Sequence, residues 1–373
     1  MSASPSPGSV DSPEAVRSFR RRLLEFFDDA ARDLPWRRTS DPYAIWVSEI
    51  MAQQTRVETV VPYYRAWLNR FPDVEALAAA PLDDVLKAWE GLGYYSRARN
   101  LYRAAGVVAD AHGGRVPDTL EGLRALPGVG DYTAGAIASI AFERPVPAVD
   151  GNVRRVYARL SDEAIPGAAE VRRWAAAVVD PDRPGDFNQA LMELGATVCT
   201  PRNPDCDACP VAPHCAGLAA GTVDLRPAPK KRAPVRGEVR AVGVFLRDGP
   251  DGDRVLLRRR PPEGLLAGMW EFPSELVGAR PGDRAVGDAV RHLAVTLGLS
   301  PGIESGMALD PVPHLFSHLQ VTYRPWLIRV DDAVATETSS AGGVVLRWVD
   351  PSDPGELALP VAQQRIAALA ANC

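Results

Sequence analysis

No apolar run in the 373 residues approaches the roughly 20 needed to cross a bilayer, and the Ser/Pro-rich stretch Met1 to Asp11 lacks the apolar core of a secretion signal. Membrane and secreted classes are set aside, and a cytoplasmic address is expected. Cysteine is scarce: there are five, four of them inside the seventeen residues from Cys199 to Cys215. That bunching does not fit a disulfide framework spread over a small secreted domain and points to metal ligation. A basic excess is missing as well, since the formal net charge is −5. This argues only weakly against nucleic acid, because a phosphate backbone feels local charge. Basic residues do cluster, at Arg97, Arg99 and Arg103 and again at Lys230, Lys231, Arg232, Arg236 and Arg240.

The 46% hydrophobic content supports two or three cored domains. From Val16 to Leu218 the pattern is helical, with amphipathic stretches such as Val16 to Ala31 and Leu82 to Ala88 separated by Pro/Gly turns. Thr222 to Glu238 is rich in proline and basic residues and reads as an extended linker. Beyond it, Val239 to Leu246, Arg254 to Arg258, Val321 to Val330 and Gly343 to Val349 are β-type runs, with a helix expected at Arg284 to Leu297. The expectation is a disordered stretch at 1–14, an all-α domain at 15–221, a linker at 222–238 and a mixed α/β domain at 239–373.

Cys199, Cys206, Cys209 and Cys215 follow one another with six, two and five residues between them, so four thiolates can converge on one centre. Four soft ligands select zinc or an iron-sulfur cluster. Only Cys206 and Cys209 form a Cys-x-x-Cys knuckle, where zinc ribbons usually present two. Leu126-Pro127-Gly128-Val129-Gly130, followed by the helical stretch Asp131 to Phe142, is a tight turn that can offer backbone N–H groups and a positive helix end to a phosphate. Asp150, in Val149-Asp150-Gly151-Asn152-Val153, stands at a turn into a helix; taken alone it reads as a helix cap. Glu49 lies on a helix capped by Asp41 with Pro42 in its first turn. Its neighbours Ile45, Trp46, Ile50 and Met51 are apolar, which predicts a raised pKa and a proton donor near neutrality.

Together these motifs resemble the helix-hairpin-helix glycosylase superfamily of endonuclease III. The cysteine spacing is similar to the loop closing its catalytic domain and implies a 4Fe-4S cluster on the four cysteines, here at 199–215, with the hairpin at 126–142. Trp46-Val47-Ser48-Glu49-Ile50-Met51-Ala52-Gln53-Gln54-Thr55 resembles the motif of the MutY-type adenine DNA glycosylases, apart from Ala52, where the family usually has a larger apolar residue. The resemblance implies that Glu49 protonates adenine N7. It further implies that Asp150, an ionised low-pKa carboxylate, stabilises the oxocarbenium ion or traps it covalently. It implies that Trp36, Arg37 and Gln189 line the adenine pocket and that Tyr132 lies near both carboxylates. Bifunctional members carry a lysine where this chain has Tyr132, so base excision without strong strand-cleaving lyase activity is expected. Gly91-Leu92-Gly93-Tyr94-Tyr95 is similar to a DNA-facing family motif: Tyr94 is the candidate to fill the vacated stack, helped by Gln53 and Gln54, while two core tyrosines are the plainer reading.

The second domain resembles a Nudix (MutT-like) fold through Val255-Leu256-Leu257 with Arg259-Arg260-Pro261 and through Trp270-Glu271-Phe272-Pro273. The acidic series that would hold magnesium is missing from Ala285 to Leu299, so recognition rather than nucleotide hydrolysis is expected. Phe316, Ser317 and His318 resemble the loop that reads 8-oxoguanine opposite the adenine. The implied partner is double-stranded DNA bearing A opposite 8-oxoguanine or G, handled by a monomer in a bacterial cytoplasm at the nucleoid. The rival reading is an endonuclease III-type pyrimidine glycosylase with lyase activity.

Overall fold

A computed structural model describes residues 12–229, 235–248, 252–300, 306–330 and 344–373. Most of the stretch expected to be disordered, and Lys230, Lys231 and Arg232 of the second basic cluster, lie outside the described residues. The chain divides into two compact units, Met1–Ala79 with Asn100–Lys231, and Ala80–Arg99 with Arg232–Cys373.

The first unit is helical. Its helices are α1 (Pro13–Ala30), α2 (Pro42–Ala52), α3 (Val57–Arg70) and α4 (Val74–Ala79); then, after α5 (Leu82–Ala88) of the second unit, most of α6 (Ser96–His112). Next come α7 (Leu120–Arg124), α8 (Asp131–Phe142), α9 (Gly151–Leu160), α10 (Ala168–Val178), α11 (Pro184–Thr197) and α12 (Ala216–Ala219). Helices α2 and α8 are apolar on all sides, and every residue from Tyr43 to Met51 and from Thr133 to Ser139 is buried, so both form the middle of the unit. Amphipathic α1, α9 and α11 pack through Phe19, Leu23, Val153, Val156, Phe187 and Leu191.

The second unit is an eight-stranded sheet of β1 (Arg236–Arg247), β2 (Arg254–Arg259), β3 (Trp270–Glu271), β4 (Ser274–Val277), β5 (Met307–Ala308), β6 (Val312–Leu315), β7 (Leu319–Arg329) and β8 (Leu346–Val349). Among the described residues only β1 and β7 pair in parallel; β1 also pairs with β2 and β4, β2 with β3 and β8, and β7 with β5 and β6, all antiparallel. The alternation along β1 sends Val242, Val244 and Leu246 to one core with α14 (Val361–Ala370). Ala241 and Phe245 face the other core, against α13 (Asp283–Thr296).

Two sequence expectations are corrected. Arg236 to Glu238, read as the end of a linker, begin β1, hydrogen-bonded in register with Leu319 to Val321. Thr222 to Pro229 is not an extended tether either: Arg226 Nε donates to Asp162 O at 2.8 Å and Ala228 N to Ala164 O at 2.8 Å. These bonds are between residues distant in sequence, so local composition does not reveal them. Helix α14 went unread because its apolar positions are mostly alanine.

Candidate active site and cluster loop

Helix α2 begins where the Asp41 carboxylate accepts from Tyr43 N at 3.1 Å and Ala44 N at 3.3 Å. It carries Glu49 into the interior, 8% exposed. From α8 the Tyr132 hydroxyl donates to Glu49 Oε2 at 2.6 Å and lies 3.2 Å from Met192 Sδ. Burial pushes the Glu49 carboxyl up to about 7, and the Asp150 charge adds to the rise; the Tyr132 hydroxyl and the Arg37 charge oppose it. Burial and the Glu49 charge likewise raise the Tyr132 phenol well above its ordinary range.

Asp150 is delivered by a short extended segment that has two fixed supports. One is Asn188 on α11, 1% exposed, which accepts from Ala148 N at 3.0 Å and donates to Val146 O at 2.8 Å and Ser139 Oγ at 2.9 Å. The other is Gly135, whose missing side chain lets α8 approach so closely that a Cβ there would stand 2.2 Å from Pro147 O. Asp150 then caps α9, accepting from Val153 N at 2.7 Å and Asn152 Nδ2 at 3.0 Å. Cap and site residue are thus the same side chain. The expected low pKa is corrected: burial raises it, and the bonds from Val153, Asn152 and the Arg155 charge offset only part of the rise.

Glu49, Tyr132 and Asp150 line two cavities. The larger, about 630 Å³, is also bounded by Gln53, Gln54, Arg124, Arg154 and Arg172. The smaller, about 340 Å³, is bounded by Trp36, Arg37, Gln189 and Glu193. Glu193 was not singled out from the sequence, although a glutamate inside the apolar stripe of α11 was a usable signal. Its carboxylate is 1% exposed and receives Arg32 Nε at 2.8 Å and Arg37 Nη2 at 2.8 Å. Burial would raise its pKa, but the two guanidiniums override that and hold it at about 2.

Between α7 and α8, Gly128 adopts φ 78° with a Cβ position only 2.5 Å from Asn100 Cβ, so the turn requires glycine twice over. Gly130 precedes α8 with no side-chain cap. Asp131 follows, held by Arg124 Nε at 2.8 Å and Arg172 Nη1 at 2.7 Å. Gln53 donates to Thr133 Oγ1 at 3.3 Å, and Gln54 is exposed at φ 55°.

In the second unit Tyr94 is not a core residue. It is 46% exposed at φ 45°, whereas Tyr95 is buried. Arg97 is buried too, lying 5.2 Å from the Trp89 ring and 5.6 Å from the Tyr94 ring, and burial lowers its pKa to about 10. The basic cluster at 97–103 is therefore not a free phosphate-contacting row: Arg97 braces the turn and Arg99 Nη1 donates to Ala267 O at 2.8 Å. Phe316, Ser317 and His318 form the tight turn between β6 and β7, closed by Phe316 N on Leu319 O at 2.7 Å. Ser317 and His318 are exposed, the Ser317 hydroxyl 3.0 Å from the Tyr94 hydroxyl, and Phe316 stacks edgewise on His314 with ring centres 4.5 Å apart.

Residues 47–180 match the family model of the HhH-GPD superfamily base excision DNA repair proteins, 199–215 that of the iron-sulfur binding domain of endonuclease III, and 242–369 that of the NUDIX domain. Among curated proteins, the adenine DNA glycosylase of Rattus norvegicus is 39% identical, with 89% of this chain and 74% of that one aligned. That of Homo sapiens is 38% identical over 94% and 73%. The chain belongs to the adenine DNA glycosylase family. The Mycolicibacterium smegmatis member is 47% identical over 55% of this chain and 72% of its own. Among solved structures, a thermostable thymine-DNA glycosylase superposes with TM-score 0.52 at 31% identity, covering 55% of this chain and 97% of that one. A trapped endonuclease III–DNA covalent intermediate shares the fold, with TM-score 0.50 at 23% identity over 56% and 98%.

Membership in the family with an iron-sulfur loop agrees with the local geometry. The four cysteines are half-buried and unpaired as disulfides; burial raises the thiol pKa of Cys206, Cys209 and Cys215, and the neighbouring cysteines of the loop add to the rise. The chain holds a 4Fe-4S cluster on these four thiolates. Helix α9 is tied to this loop: Arg159 Nη1 donates to Cys199 Sγ at 3.3 Å, and Arg155 bonds Cys199 O at 2.9 Å and Asn152 Oδ1 at 2.8 Å. The helix that Asp150 caps is therefore braced against the cluster loop at its other turns.

Proposed function

We propose that this glycosylase binds duplex DNA and excises adenine mispaired with 8-oxoguanine or guanine. The observation that carries the reading is the constellation of Glu49, Tyr132 and Asp150 shared by both cavities, with Glu49 held by Tyr132 at 2.6 Å and titrating near 7. A carboxyl of that pKa is a competent general acid at neutral pH. The flipped adenine enters the smaller cavity among Trp36, Arg37 and Gln189, and Glu49 donates its proton to N7. The base leaves neutral as the glycosidic bond breaks. Asp150 faces the positive charge left on the sugar, stabilises it or closes on C1′, and water completes the abasic site. Tyr132 stands where a Schiff-base lysine would act, so the DNA strand stays intact.

The hairpin at Gly128 and Gly130 grips the phosphate backbone. Tyr94, Gln53 and Gln54 fill the stack vacated by the adenine, and Phe316, Ser317 and His318 read the opposite 8-oxoguanine. The working division is a glycosylase domain at 15–221 and a recognition domain at 239–373, in a monomer acting at the nucleoid of a bacterial cytoplasm. Among the described residues no helix is long and apolar enough to cross a membrane.

The test is single-turnover release from duplexes carrying A opposite 8-oxoguanine and, separately, thymine glycol. Adenine release without strand scission is expected, falling by roughly 10²- to 10⁴-fold in Glu49→Gln. Processing of thymine glycol alone, or scission without added base, overturns the reading in favour of the pyrimidine glycosylase.

A further inference from the structure

The Tyr132 hydroxyl has one proton to give, and two acceptors stand within its reach: Glu49 Oε2 at 2.6 Å and Met192 Sδ at 3.2 Å. Met192 sits on α11, on the wall of the smaller cavity with Gln189, and packs against the core formed by α1, α9 and α11. The next residue fixes this turn of the helix, since the Glu193 carboxylate is held by Arg32 and Arg37 at 2.8 Å each. A thioether is a weak acceptor on a pliant side chain, and here the helix that carries it holds it against a phenol.

The two acceptors suit different states of the acid. An ionised Glu49 draws the phenol proton, and the sulfur is then idle. A protonated Glu49 is itself a donor through one oxygen; with that proton on Oε2, the 2.6 Å contact persists only if the phenol oxygen accepts. The phenol proton must then point elsewhere, and Met192 Sδ is where the structure gives it a partner. Ionisation of the phenol is no alternative, because burial and the Glu49 charge hold its pKa well above the ordinary range.

We propose that Met192 is a positioning residue for adenine release: its sulfur accepts from the Tyr132 hydroxyl while Glu49 is protonated, and yields that hydroxyl to the carboxylate as Glu49 gives its proton to adenine N7. The inference rests on the reading of Glu49 as the general acid. One proton changes owner, from Glu49 to N7; the phenol keeps its own and only turns from sulfur to the carboxylate that forms. Without the sulfur, the protonated acid leaves a buried hydroxyl unpaired, so the acid form is disfavoured and the carboxyl titrates lower. Asp150 and Arg37 act on the same carboxyl. They are common to every variant compared below, as are Arg32, Arg56, Glu58 and Glu193 of the smaller cavity and Arg124, Asp131, Arg154 and Arg172 of the larger. A change in titration therefore isolates the hydroxyl.

Single-turnover adenine release and melting temperature are followed from pH 5 to 9 in the cluster-bearing wild type, Met192→Leu, Tyr132→Phe and the double variant. Leucine conserves volume and removes the acceptor. The alkaline limb of Met192→Leu should lie about half to one pH unit below that of the wild type. The gap in melting temperature between the two should be wider at pH 5 than at pH 8, because only the protonated acid needs the sulfur. In the Tyr132→Phe background, Met192→Leu should shift neither the limb nor the gap with pH. Met192→Ile, which also lacks sulfur, carries the same measurement should the leucine variant not fold. A limb left in place, a limb displaced as far in the Tyr132→Phe background, or a gap constant with pH makes Met192 a packing residue only and overturns the proposal. A wild type that releases no adenine defeats the general-acid reading instead, and the pH dependence of the gap then still decides whether Met192 serves the Tyr132 hydroxyl.

Discussion

Replacing Glu49 by glutamine should stabilise the protein, and only above acidic pH. The carboxyl titrates at 4.5 when exposed and near 7 in the folded chain, chiefly because burial disfavours its charge. The folded state therefore holds this proton more tightly than the unfolded state, and raising the pH through 4.5 to 7 costs stability. The shift corresponds to about 3 kcal/mol once both states are ionised, and to less than about 1 kcal/mol at pH 5. Glutamine keeps the shape and can still accept from Tyr132 but carries no titration, so Glu49→Gln escapes the loss. Melting temperatures of the two proteins compared from pH 5 to 9 should nearly coincide at the acid end. They should diverge toward neutrality by roughly 2 to 4 °C for each kcal/mol, with the variant higher. The alkaline loss of adenine release should fall in the same pH range, since only protonated Glu49 can donate. A stability gap constant across pH, or a variant less stable at pH 8 than at pH 5 relative to wild type, would refute the argument that burial stores this energy in the acid.

Tyr132→Phe removes the 2.6 Å bond that favours the ionised form of Glu49. Its pKa should climb further, moving the alkaline limb of the single-turnover profile to higher pH; an unmoved or lowered limb contradicts the assignment. Asn188→Ala should destabilise the chain by about 3 kcal/mol in urea, because Ala148 N, Val146 O and Ser139 Oγ lose their buried partner. It should also slow adenine release through Asp150, and a loss under about 1 kcal/mol would mean that the segment before Asp150 is held by other means.

The chemistry legible along the chain is of a local kind. Cys199 to Cys215, the glycine turn at 128–130, the helix cap at Asp41 and the apolar neighbours of Glu49 are short-range patterns, each tied to a bond or a dihedral within a few residues. Helical and strand periodicity was legible for the same reason, which is why α5 was read to the residue while the alanine-rich α14 was not. Tertiary structure decided everything that depends on burial and on partners distant in sequence. It drew Tyr132 onto Glu49, placed Asn188 under the approach to Asp150, buried Glu193 between two arginines, and turned Asp150 from a presumed low-pKa anion into a carboxyl whose pKa is raised. Desolvation is set by the atoms that surround a group in space, and no window along the chain contains that information. The same holds for Arg97, basic in the sequence but buried against Trp89 in the fold.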